Sequence, residues 1–118
     1  MRIITPHVHK VLDLVTVVAF ALAPTLIPLN GLAAAVAYAL AVVHLAVTLA
    51  TEFTGAGRKP LPLRGHGALE AIVGITLLVL PFVAGWIGPP RIFYLAAGTV
   101  ILIVWALIGY QAAQSAVE

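Results

Sequence analysis

Cysteine is absent from the 118 residues. That excludes disulfides, thiolate metal sites, thiol catalysis and covalent haem attachment. Charge is scarce as well: Asp, Glu, Lys and Arg make up 8% of the chain, where a soluble domain carries about a quarter. So little charge leaves too few ionic groups to solvate a folded surface in water. Only four residues are acidic, and the net charge is +2. This excess is too small to mark a nucleic-acid binder. Neither a nucleotide motif nor a nucleophile–base spacing is present, and Gly55-Ala56-Gly57 lies in a loop where glycines provide only flexibility.

What the chain has is apolar length. Hydrophobic residues make up 63% of it and the mean hydropathy is +1.15. A short chain cannot hide that much apolar surface in a soluble core. Lipid is the alternative solvent, and its hydrocarbon layer asks for runs of about 20 apolar residues. Four such runs are predicted, at His7–Leu26, Gly31–Thr51, Gly65–Gly85 and Arg91–Tyr110. Asp13 inside the first run argues against a secretory leader, whose core is uncharged, and for a membrane span. The expected fold is therefore all-α, an integral membrane four-helix bundle forming a single transmembrane domain over residues 1–118.

Pro28-Leu29-Asn30-Gly31 and Gly85-Trp86-Ile87-Gly88-Pro89-Pro90 have turn chemistry and join the helices in pairs. The polar middle loop, 52–64, carries Glu52, Arg58, Lys59 and Arg64, a solvated segment suited to anionic lipid. Arg2, Lys10, Arg58, Lys59 and Arg64 fall on one side of the membrane and Arg91 on the other. The positive-inside rule then places both termini and the middle loop in the cytoplasm. On that topology Trp86 and Tyr94 belong to an outer aromatic belt, and Phe53 and Tyr110 to an inner one. Arg91 is expected to anchor a helix start and snorkel outward.

An internal repeat is visible at an offset of 57 residues: His9/His66, Leu12/Leu69, Asp13/Glu70, Pro24/Pro81 and Gly31/Gly88. Repeat 1 covers about residues 5–53 and repeat 2 about 62–110, each a helical hairpin. Two such hairpins in tandem share one orientation, related by an axis along the membrane normal. Pro24 and Pro81 each remove a helical hydrogen bond, so kinked or ended helices are expected there. His-x-x-Leu-Asp at the head of the first helix, with a proline eleven residues after the acid and the same plan in the second hairpin, resembles the SPW-repeat family. These are small prokaryotic four-helix membrane proteins. The resemblance spans about residues 5–110 and implies the architecture; it implies no activity. The Ser-Pro-Trp motif itself reads Ala23-Pro24-Thr25 and Leu80-Pro81-Phe82 here, retaining the proline alone.

His9 and Asp13, and again His66 and Glu70, are four residues apart and so share a helix face. Folding the first hairpin about its turn brings His44 level with Asp13 and Thr48 level with His9. Ala33, Ala37, Ala41, His44 and Thr48 form a face of small and polar residues suited to a helix–helix seam. His44 corresponds to Ile101 in the second repeat, so Glu70 lacks that partner and is expected to look to His66, to Trp105 or across the axis.

Ionisable groups in hydrocarbon must be paired. One reading of His9, Asp13, His44, Thr48, His66 and Glu70 is a structural polar clasp that fixes the hairpins in register, with no cofactor. A second makes His9, Asp13, His44, His66 and Glu70 candidate ligands of a metal ion or haem. A third is a proton or ion path, which in so small a bundle requires an oligomer. The leading expectation is a small membrane protein without enzymatic activity. Its partners are lipid and either further copies of itself, as a homo-oligomer, or a larger membrane complex in which it is an accessory subunit.

Overall fold

A computed structural model describes residues 5–53 and 57–117, the side chains only as far as 107. Four helices account for almost all of it: α1 (Pro6–Leu26), α2 (Gly31–Ala50), α3 (Leu63–Ala84) and α4 (Pro89–Val117). All four are long and apolar enough to cross a membrane, α4 over Pro89–Leu107. The elongated body measures 45 × 22 × 20 Å, close to the roughly 40–45 Å of a bilayer with its headgroups. Arg2 and Tyr110 lie outside the described side chains.

Helix starts fall earlier than hydropathy alone predicts, and proline is the reason. Pro6 and the Pro89-Pro90 pair occupy first-turn positions, where a missing N–H costs nothing and φ is already helical. Thr5 completes the first start by accepting a hydrogen bond from Val8 N at 3.2 Å. The inner prolines work in the opposite sense. Pro24 and Pro81 lie within three residues of the last helical residue, so each marks an end, not a mid-helix bend. The turns that follow use Gly31 and Gly85 in the left-handed region, at φ of 53° and 72°.

Each helix buries a narrow stripe with helical spacing: His9, Asp13 and Phe20 on α1; Ala33, Ala37, Ala41 and Thr48 on α2; His66, Glu70, Gly74, Leu77 and Pro81 on α3; Tyr94, Gly98 and Ile101 on α4. The remaining circumference is apolar and exposed, as a lipid-facing surface requires. α1 packs along α2 and α3 along α4, while contact between the two pairs is sparse. The α3–α4 crossing is close because Gly74 and Gly98 face one another. A Cβ on Gly98 would lie 2.9 Å from the Gly74 carbonyl oxygen, so glycine is required there for the backbones to meet.

The two halves of the bundle differ in chemistry. One holds an apolar core of Phe20, Ala23, Leu29, Ala33, Ala37, Leu77 and Tyr94. Tyr94, expected in an aromatic belt, is instead fully buried and donates its hydroxyl to the Ala33 carbonyl at 2.6 Å, joining α4 to α2. A phenol inside hydrocarbon needs such an acceptor, and the Ala33 carbonyl offers its second lone pair beside the helical bond. Half-buried Trp86 stacks on it at 5.2 Å. Arg91 turns back onto this end, with its Nε 2.9 Å from the Trp86 carbonyl and its guanidinium 5.0 Å over the Phe82 ring.

The opposite half holds the polar residues, and a short parallel bridge closes it. Thr51–Glu52 (β1) pairs with Leu61–Pro62 (β2), in register Thr51 to Leu61. This is a departure from a purely helical expectation, and it makes the middle connection a tie between the hairpins instead of a free loop.

Replacing Gly98 with alanine is expected to overpack the α3–α4 crossing by about 1–3 kcal/mol. Thermal melts in detergent should show a clearly lower Tm for Gly98→Ala, and no change for Ala96→Leu on the exposed face. Equal melting of both variants and the parent would sink this account of the crossing.

Candidate functional site

α1 and α3 bring their His/acid pairs together. His9, at 0% exposure, and Asp13, at 3%, come from the first turns of α1; His66, at 0%, and Glu70, at 5%, come from the first turns of α3. An i,i+4 spacing puts each pair on one face, and rotation of the two helices turns those faces toward each other. His9 Nε2 lies 3.0 and 3.2 Å from the two Glu70 oxygens, so the bond runs from one hairpin to the other. His66 Nε2 lies 3.1 Å from Glu70 Oε1 on its own helix. Glu70 is thus served from both sides and does not involve Trp105, which is 37% exposed.

Asp13 has a different environment. Its Oδ2 stands 2.9 Å from His66 Nε2 and 3.4 Å from His9 Nε2. Neither approach is a hydrogen bond, and Oδ2 receives none among the described residues. An imidazole nitrogen directs one proton or one lone pair in its ring plane, and both Nε2 atoms direct theirs at Glu70. The carboxylate expected to be the better partnered of the two is therefore the one with an orphaned oxygen. His44 lies level with Asp13 as its place in the hairpin implies, but loosely, with Nε2 3.5 Å from Oδ1 and no hydrogen bond. Thr48 is fully buried and its hydroxyl likewise makes no bond.

The tautomer of His66 follows from atom counting. Thr51 Oγ1 lies 2.6 Å from the Val47 carbonyl and 2.7 Å from His66 Nδ1. A carbonyl can only accept, so the single hydroxyl proton goes to Val47 O, and Thr51 must accept from His66 Nδ1–H. Neutral His66 then presents a lone pair at Nε2, toward two carboxylates. That arrangement is repulsive unless it is relieved by a proton, on Nε2 or on one of the carboxylates, or by a cation. Two carboxylates with three neutral imidazoles carry a charge of −2, which a low-dielectric interior does not tolerate uncompensated.

Phe53 covers this assembly. Expected at the inner interface, it is 7% exposed and meets His9 and His66 edge-on at 5.6 and 5.4 Å. Thr51 and Phe53 are the site residues that sequence reasoning missed. Their signal was local and faint: a threonine and an aromatic at a helix end beside the polar loop. His44 stands on the less covered side, 11% exposed, where it lines a cavity of about 70 Å³ with His66, Glu70 and Val73.

Two N and two O atoms converging in this way suit a small cation. They do not suit haem, because the carboxylate oxygens fill the space between the imidazoles that a porphyrin plane would need. No family model, curated protein or solved structure matches this chain.

Thr51→Val is expected to strand a buried His66 N–H at a cost of about 1–3 kcal/mol. A matching fall in thermal stability, restored in part by Thr51→Ser, would support the hydrogen-bond chain from Val47 to His66. Identical melting of the valine variant and the parent would remove it.

Proposed function

We propose that this chain is a multi-pass protein of a prokaryotic cytoplasmic membrane, built of two tandem hairpins in one orientation. On this reading both termini and the 52–64 connection face the cytoplasm. The protein acts without catalysis, as a homo-oligomer or as an accessory subunit of a larger membrane complex. Its His/acid cluster is the clasp that holds the two hairpins in register, and the SPW-repeat resemblance is a divergent one.

One observation carries the clasp reading. The seam between the hairpins is thin, yet Glu70 is bonded from both sides of it, by His9 on α1 and His66 on α3. In hydrocarbon, separating the hairpins would leave charged groups without partners, so the bonds specify the assembly more strongly than their number implies. The repeat gains support from matched roles: His9 and His66 are both fully buried, and Gly31 and Gly88 both have positive φ, at 53° and 68°. The topology rests on the distribution of basic residues. Association with other chains rests on the large apolar surface, of which Val18, Val42, Ile72 and Val83 are exposed examples.

The absence of native cysteine makes the topology directly testable. Single cysteines at Lys59 and Ile87 in intact cells should react oppositely with a membrane-impermeant maleimide, Ile87→Cys from outside and Lys59→Cys only after lysis. Reversed labelling would overturn the orientation. For the clasp, Glu70→Gln should lower the Tm in detergent by several degrees, in keeping with about 1–3 kcal/mol for a buried charge-assisted bond. A Glu70→Gln protein that melts with the parent would rule the clasp out.

A further inference from the structure

We propose that His9, Asp13, His66 and Glu70 form a site for one divalent first-row transition-metal ion, of which zinc is the best fit. The proposal rests on the reading above that these residues are the buried centre joining the hairpins, and it names the ligand of that centre.

The geometry is the first argument. One ligand atom from each of the four residues lies within 4.8 Å of every other. The four nitrogen-to-oxygen separations are 2.9, 3.0, 3.1 and 3.4 Å. With Zn–N and Zn–O bonds of about 2.0–2.2 Å, the edges of a zinc tetrahedron are about 3.3 to 3.5 Å. Four of the six edges would thus open by at most a few tenths of an ångström, and the remaining N–N and O–O edges lie within 4.8 Å. Each helix supplies two ligands from an i,i+4 pair, so the ion would bridge the seam between the hairpins.

The second argument is the orphaned oxygen. Asp13 Oδ2 is buried, aimed into the cluster and without a hydrogen bond, although two imidazole nitrogens lie within 3.4 Å. Neither histidine serves it there, since each Nε2 directs its one bond at Glu70. A central cation is bound by all four groups at once and has no such directional limit. Third, the Thr51 hydroxyl fixes His66 with its N–H outward and its Nε2 inward. This is the orientation a metal ligand needs, and an outer hydrogen bond of this kind is the usual support of a ligating histidine.

Charge and donor type narrow the ion. Two carboxylates balance a divalent cation, leaving a neutral site in a medium that penalises net charge. Two imidazoles disfavour magnesium and calcium, which take oxygen ligands, and no thiolate is present to select a soft ion. Four ligands and a roof of Phe53 make the coordination closed, as in structural zinc sites. His44 is not among the four. It stands at the cavity beside them, 3.5 Å from Asp13, on the side from which an ion would arrive.

The test uses the full chain in detergent, stripped with a chelator and titrated with Co²⁺ as a spectroscopic probe. The expected result is one equivalent bound per chain, with the intense visible bands of four-coordinate cobalt, which Zn²⁺ then displaces. Asp13→Asn and His66→Gln should each weaken binding by more than about a hundredfold, beyond what outer-sphere changes cause. His44→Ala should keep the stoichiometry and the spectrum. Folded wild-type protein that leaves cobalt in its pale aqueous form would overturn the proposal, and so would binding that Asp13→Asn leaves unchanged. If the variants fail to fold, the wild-type titration decides alone. Should cobalt fail to bind while Glu70→Gln still lowers the Tm, the metal falls and the clasp stands; if neither effect appears, both fall.

Discussion

Two carboxylates buried in a low-dielectric interior set the terms for the rest of this structure. Asp13 and Glu70 are 3% and 5% exposed, so both carboxylates depend on nearby polar groups more than on bulk water. Every polar group nearby can be understood as a response: His9 and His66 turned inward, Thr51 holding His66 from behind, His44 at the margin, and Phe53 closing the end. The response is unequal. Both Nε2 atoms are directed at Glu70, and Asp13 Oδ2 is left without a hydrogen bond among the described residues. Histidine donors alone leave that oxygen unaccounted for, whereas a cation at the centre would account for it and for the His66 tautomer together.

The seam explains why the cluster matters to the fold. Within each hairpin, packing is continuous, and on α3–α4 it is close enough that a Cβ on Gly98 would meet the Gly74 backbone carbonyl. Between the hairpins there is little packing to spare, because each helix leaves most of its apolar surface exposed. Without a hydrophobic drive to associate, helices in a bilayer depend on close packing and polar bonds. The bundle places one such tie near each end: the His/acid group beside the β1–β2 bridge, and the Tyr94 hydroxyl on the Ala33 carbonyl at the other. The two ties differ in kind, since the phenol is neutral and complete in itself while the His/acid group carries charge.

Much of this was legible in the chain before any coordinates. The spacing of His9 to Asp13 and of His66 to Glu70 put each pair on one face, and folding the hairpin about residues 28–29 brought His44 beside Asp13. The inward face of Ala33, Ala37, Ala41, His44 and Thr48 is the buried stripe of α2, with His44 the least covered of the five. Tyr94 and Phe53 were misjudged for one reason. Aromatic residues near span ends are usually interfacial, and whether a ring instead turns inward depends on which neighbour offers an acceptor or an imidazole edge. Thr51 had no periodic signal at all; it sits where α2 ends, and its value comes from His66, 15 residues away.

By itself, the sequence determined that the chain is helical, that it has four segments fit to cross a membrane, and that two His/acid pairs lie on helix faces. These are local properties: hydropathy over about 20 residues and a period of 3.6. The tertiary structure alone decided which carboxylate each histidine serves, that Asp13 keeps an unsatisfied oxygen, and that the middle loop pairs as strands. Those outcomes depend on the rotation of α1 against α3, whose contacting residues are about 60 positions apart. A shift of either helix by one residue, some 100° of rotation, would have paired the same side chains differently or turned them to lipid.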